Sequence, residues 1–107
     1  MSERTFGVDL PEGTRRAKLS GELDMESYDE LSRILLTSFD GDGDIELDLA
    51  DVTFVDSSAI RLFAQLHRST NGDGRLILIR PQPQVSRVLE VAGLADLGIS
   101  IEQSGDA

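Results

Sequence analysis

Asp56, Ser57 and Ser58 set an acid and two hydroxyls at the end of a short apolar run, within "DVTFVDSSAI" (51–60), and a helical pattern follows at once. An acid or hydroxyl at such a corner caps the helix by accepting its first backbone N–H groups. A hydroxyl there can also serve as a nucleophile if a base lies within hydrogen-bond reach, or the corner can act as a switch. The single histidine, His67, lies two to three turns along the helix that starts at these serines. At 1.5 Å of rise per residue that is well over ~10 Å, which argues against a serine hydrolase. On its apolar stripe, His67 is expected to pack partly buried rather than act as a base.

Other groups of candidate residues lack parts that their chemistry needs. "DGDGDIELDLAD" (40–51) has acids at the first, third and fifth positions of a calcium loop. The loop requires Gly at its sixth position and a bidentate Glu at its twelfth, and here these are Ile45 and Asp51. No metal is expected there. "GDGD" and "NGDG" have no following Lys-Ser/Thr and so form no phosphate-binding loop. Asp56 as a phospho-accepting aspartate would need a paired acid and a downstream Lys, and no second site supplies them.

The corner is positioned by alternating elements. Residues 5–10 and 14–20 read as two strands of a hairpin around the "PEG" turn, and "SGELD" (20–24) breaks the pattern. "SYDE" fits a capping box, with Ser27 as cap and Glu30 reaching back. Tyr28, Leu31, Leu35 and Phe39 then recur at helical spacing until Gly41 and Gly43. Ile45, Leu47 and Leu49 alternate with Glu46 and Asp48 as in a strand, and the run 52–55 carries it to the corner. The second helix places Ile60, Phe63, Ala64 and His67 on one stripe, widened by Ala59, Leu62 and Leu66, with Arg61, Gln65 and Arg68 opposite. "NGDG" stops it.

"RLILIR" (75–80) reads as a strand covered on both faces. A third helix follows from Pro83, with Val85, Val88, Leu89 and Ala92 as its apolar stripe and Gly93 as its stop. Residues 99–102 form a last short strand or an extended tail. The order β-β-α-β-α-β-α-β predicts a single α/β domain over 1–107, with a mixed sheet of four or five strands and the helices packed on it. Leu31, Leu35, Leu47, Leu49, Phe63, Leu66, Ile77, Ile79, Val88 and Leu89 are its expected core.

The bulk composition narrows the function classes. The chain has 107 residues, no Cys and a formal net charge of −10. Disulfides and thiolate chemistry are therefore absent, and phosphate backbones and anionic membranes repel such a surface. A basic protein surface is the electrostatically suited partner; nucleic acid is not. No run approaches the ~20 apolar residues of a membrane span, and "MSERTFGVDL" lacks the apolar core of a secretory signal. A cytoplasmic location without membrane insertion is expected.

Taken in order, "GELD", a helix, "IELDLADVTFVDSSAIRLF" and "GRLILIRPQPQVSRVLEVAGL" resemble the STAS domain of sulfate transporters and anti-sigma factor antagonists. The resemblance runs from Leu19 to about Ile101. Its best-defined motif, "FVDSSAI", is similar to the family's Asp-Ser-Ser-Gly-Leu. Ala59 stands where Gly is usual, Arg61 adds a charge near the motif, and the chain ends soon after Glu102, where many members continue into another helix.

For a stand-alone bacterial member, the resemblance implies a binding protein rather than an enzyme, with no cofactor of its own. Unphosphorylated, such a protein binds an anti-sigma factor serine kinase and so frees the sigma factor. Phosphorylation of the first serine, here Ser57, ends the contact, and a serine phosphatase is a further candidate partner. Asp24, Asp56, Ser57, Ser58, Ala59, Ile60 and Arg61 are the implied contact residues. Two other functions are compatible with the same fold: a regulatory subunit of an ABC-type lipid transport complex, and a structural module that is never phosphorylated. The retained Asp-Ser-Ser favours the switch, since transporter-associated members often vary there.

Overall fold

The computed structural model describes residues 5–39, 43–70 and 74–103. Five strands form one sheet in sequential order: β1 (Phe6–Asp9), β2 (Arg16–Leu23), β3 (Ile45–Val55), β4 (Leu76–Ile79) and β5 (Ser100–Glu102). β1 and β2 pair antiparallel, and every later neighbour pairs parallel. Each parallel pair is joined through a helix: α1 (Met25–Ser38), α2 (Ser57–Ser69) and α3 (Pro83–Val91), the last followed by a 3-10 turn over Leu94–Leu97. This is the predicted mixed α/β domain.

The core lies between the sheet and the three helices. Alternate residues of the strands, Ala17 and Leu19, Ile45, Leu47 and Leu49, Leu76 and Leu78, meet Leu31 and Leu35 of α1, Leu62, Phe63 and Leu66 of α2, and Val85 and Leu89 of α3. Each such Val, Leu, Ile or Phe side chain, fully buried, contributes about 1.5–3 kcal/mol. Nine of the ten expected core residues are buried; Val88 is only half-buried. The opposite sheet face is largely polar and holds the ion pairs Arg16–Glu46, Lys18–Asp51 and Arg80–Asp48. Ile77 and Ile79 are buried as well, so all four β4 residues are covered, as "RLILIR" predicts.

Several boundaries depart from the local reading. "SGELD" does not break the second strand: β2 runs on to Leu23. Gly21 makes this possible at a bulge in the β2–β3 register. Its φ is +83°, and a Cβ there would lie 2.0 Å from the Thr5 carbonyl oxygen. The first helix accordingly starts at Met25, two residues before Ser27. It ends at Ser38 with Phe39 as cap, ahead of the expected glycines. Gly41, Asp40 and Asp42 of the calcium-like loop, and the first three residues of "NGDG", lie outside the described residues. Asp44, Asp48 and Asp51 of that loop hold other partners: the Arg75 N–H, Arg80 and Lys18.

Candidate functional site

The site is built where β2 and β3 end side by side. Leu23 and Val55 are register partners, and the residue after each is an aspartate that caps a helix. Asp24 and Asp56 have nearly the same backbone, φ −132° and ψ −170° against φ −127° and ψ −167°. The Asp56 N–H donates to the Leu23 carbonyl at 3.3 Å, which ties the two corners together. Strand, Asp cap and helix thus occur twice in parallel, and the two helix N-termini lie at one end of the sheet.

At the first corner the capping box is Asp24 with Ser27, not Ser27 with Glu30. The Asp24 carboxylate accepts the Ser27 N–H at 3.1 Å, and the Ser27 hydroxyl accepts the Asp24 N–H at 2.9 Å. Ser27 is buried and its hydroxyl also meets the Glu22 and Asp24 carbonyls, so it is a structural residue. At the second corner the Asp56 carboxylate accepts from the N–H groups of Ser58, at 2.8 Å, and Ala59, at 3.4 Å. The helix start is therefore already satisfied by an anion, and neither serine hydroxyl is needed as its cap.

That division of labour leaves Ser57 outward. It is the first residue of α2 and exposed, while Ser58 is half-buried. Ala59, 3% exposed, belongs to the core and backs the corner from behind; it has no surface to offer a partner. α2 also buries a slightly different stripe from the one expected. Ala59, Leu62, Phe63 and Leu66 are its buried residues, whereas Ile60, Ala64 and His67 are half-buried. His67 is a packing residue: its Nδ1 accepts the Leu76 N–H at 3.2 Å, and its other ring edge lies against Gly98.

Two features flank Ser57. On one side, α2 and α3 border an almost wholly apolar groove of about 450 Å³, lined by Ser57, Ile60, Arg87, Val88, Val91 and Ala92. Val91 is 84% exposed. Of the expected apolar stripe of α3, Val88 and Ala92 line this groove, Val88 half-buried against the core and Ala92 exposed. On the other side, the Arg61 guanidinium lies 5.3 Å from the Tyr28 ring centroid of α1, and the Tyr28 hydroxyl donates to Gln65 at 2.7 Å. An exposed cation over a ring is worth ~0.5–1 kcal/mol, enough to bias where Arg61 points.

Asp24, Asp56, Ser57, Ser58, Ile60 and Arg61 therefore gather at one end of the molecule. Arg87, Val88 and Val91 join them; exposed Met25 follows Asp24 and exposed Phe54 lies two residues before Asp56. None of these last five was singled out from the sequence as a contact residue; Val88 was expected in the core. An apolar residue two places beyond a core position, as Val91 is beyond Leu89, was the available signal.

The comparisons agree with this architecture. The STAS domain matches residues 10–106. The chain is 33% identical over 82 residues to an anti-sigma-B factor antagonist of Staphylococcus aureus (strain NCTC 8325 / PS 47), covering 75% of this chain and 76% of that protein. It is 30% identical over 82 residues, with the same coverage, to the anti-sigma-B factor antagonist of Staphylococcus epidermidis. Its fold is similar to the solved structure of the anti-sigma factor antagonist SpoIIAA in its unphosphorylated form, with a TM-score of 0.69 and 24% identity over 90% of this chain and 86% of that one. With nearly the whole sequence matched and the fold in agreement, the chain belongs to the STAS domain family.

Proposed function

We propose that the chain is an anti-sigma factor antagonist whose binding is switched off by phosphorylation of Ser57. The observation that carries this reading is the position of Ser57: exposed, free of any capping duty, and on the rim of an apolar groove. In the unphosphorylated state a kinase-type anti-sigma factor docks over the corner and the groove, and the sigma factor is released. The same partner then transfers the γ-phosphoryl group of ATP to the Ser57 Oγ. The hydroxyl proton passes to a base of the kinase and ADP leaves. A serine phosphatase hydrolyses the ester and restores binding. ATP is the kinase's substrate and not a cofactor of this chain.

Phosphorylation adds about −1.5 to −2 charges at neutral pH. Two of the backbone N–H groups that would welcome it, those of Ser58 and Ala59, are already occupied by Asp56, so the helix end absorbs little of the new charge. A partner covering the groove must desolvate it. An unmatched charge in such a contact costs on the order of 2–5 kcal/mol, or roughly 30-fold to several-thousand-fold in affinity.

The test is to incubate the protein, Ser57→Ala and Ser58→Ala with the cognate kinase and ATP and to map the phosphopeptide. Label is expected on Ser57 in the parent and in Ser58→Ala. Ser57→Ala should bind the partner without being labelled, and Ser57→Asp should bind more weakly. Label on Ser58, or phosphorylation surviving Ser57→Ala, overturns the assignment.

A further inference from the structure

Ser57 has two arginines for neighbours, and among the described residues no ion pair occupies either of them. Arg61 follows it by one turn of α2. At 3.6 residues per turn, positions 57 and 61 are about 40° apart around the helix and one above the other. A side chain in a helix leans toward the N-terminus, so a rotamer that reaches Ser57 is open to Arg61. An anion at the first position with a cation four residues later is also the favourable order for such a pair. Arg87 comes from α3 and lines the same groove as Ser57. Among the described residues neither arginine makes a salt bridge; Arg61 instead rests over Tyr28.

The charges that face this position would otherwise repel a phosphate. Asp56 is adjacent, and its carboxylate holds the N–H groups of Ser58 and Ala59. Asp24 follows the paired strand and caps α1. With the Ser58 and Ala59 amides already taken, the two guanidinium groups are the strongest donors left to receive a phosphate, each offering several donors in a planar fork.

We propose that Arg61 and Arg87 form a clamp in cis that holds the phosphate of phospho-Ser57 across the mouth of the groove between α2 and α3. The inference rests on Ser57 being the phosphorylated residue. Its consequence is that the modification covers the apolar docking surface at Ile60 and Val88 as well as adding charge. Release of the partner then has a steric part that salt does not screen.

Phosphoserine incorporated genetically at position 57 makes the test independent of any kinase. The second ionisation of its phosphate is followed by phosphorus NMR in the full-length protein, in Arg61→Gln, in Arg87→Gln and in the double variant. An unperturbed phosphoserine titrates near pH 6. The clamp predicts a value at least about half a unit lower in the parent, since a nearby cation favours the dianion. It predicts a partial return in each single variant and, with Asp56 and Asp24 unopposed, a value at or above that of a short peptide in the double variant. Arg68→Gln, at the far end of α2, should leave the value unchanged. Methyl resonances of Ile60 and Val88 should shift on phosphorylation in the parent and not in the double variant. A phosphate that titrates identically in the parent and the double variant overturns the clamp. Failure of kinase mapping at Ser57 would instead overturn the switch itself and leave this titration as it is.

Discussion

Asp56 and Ser57 sit side by side and have opposite tasks. The carboxylate holds the helix start, and the hydroxyl is thereby left to solvent. Removing the cap should therefore cost stability where removing either hydroxyl does not. Asp56→Ala is expected to lose ~0.5–2 kcal/mol in urea unfolding, while Ser57→Ala and Ser58→Ala stay within about 0.5 kcal/mol of the parent; a larger loss in Ser58→Ala than in Asp56→Ala would reverse the assignment. Asp48 is the other residue whose charge is built into the fold. Burial pushes its carboxyl up, but the hydrogen bonds from Arg80 and the Ala50 N–H and the charges of Arg80 and Lys18 outweigh burial and hold it below its ordinary value. A carboxyl whose folded pKa is lowered adds stability that is complete above the unfolded value, about 3.9, and that drains away as pH falls through the folded value. Asp48→Asn should thus cost ~1–3 kcal/mol at pH 7, within the range for breaking a buried charge pair one partner of which is partly exposed. The gap to the parent should narrow as pH drops below about 4. A gap of constant size from pH 7 to pH 3 would show that the loss comes from packing rather than charge.

Gly21 decides how β2 delivers Asp24 to the corner. The chain passes it at φ +83° with the Thr5 carbonyl where a side chain would stand, and the Glu22 N–H donates to that same carbonyl at 2.8 Å. Gly21→Ala must both strain the backbone and push β1 away, so a loss of more than ~1–3 kcal/mol is expected. Protection of the β1 amides against hydrogen exchange should fall further than that of β4; equal effects on both strands would mean that the bulge is not the origin. This element was misread from its residues because Ser, Gly and Asp in "SGELD" are turn formers. The pairing with β3 that overrides them lies some thirty residues away. The capping box moved for the same reason. Asp24 with Ser27 and Ser27 with Glu30 are both sound local chemistry, and the end of β2 chooses between them. By contrast, α2 starting at Ser57 and the four-residue β4 were legible, since a sharp change of period and a continuous apolar run need no distant partner. The site was half legible on the same terms. Asp24, Asp56 and Ser57 belong to motifs, but the groove exists only once α3 is laid beside α2, so Val88 reads as core and Arg87 and Val91 pass unnoticed.

The whole molecule combines a net charge of −10 with one nearly uncharged groove next to Ser57, and the two features should govern different halves of partner binding. Long-range charge acts on the encounter, raising association rates and weakening as salt shortens the Debye length from ~30 Å at 0.01 M to ~3 Å at 1 M. Apolar contact acts after docking and sets how long the complex lasts. If the anti-sigma factor presents a basic surface, raising salt from about 0.05 to 0.5 M should slow association tenfold or more and change dissociation by less than about threefold. Val91→Ala tests the other half. Val91 is 84% exposed, so its truncation should cost the fold little, within about 0.5 kcal/mol. At a docked groove the loss of a central apolar contact is typically ~1–2 kcal/mol, which is roughly 5- to 30-fold. That change should appear as faster dissociation, with the association rate and its salt dependence kept. Stopped-flow association and surface-plasmon dissociation on the unphosphorylated protein measure the two separately. An association rate indifferent to salt would mean that the acidic surface plays no part in the encounter. A Val91→Ala complex that dissociates at the parental rate would place the partner elsewhere than in the groove.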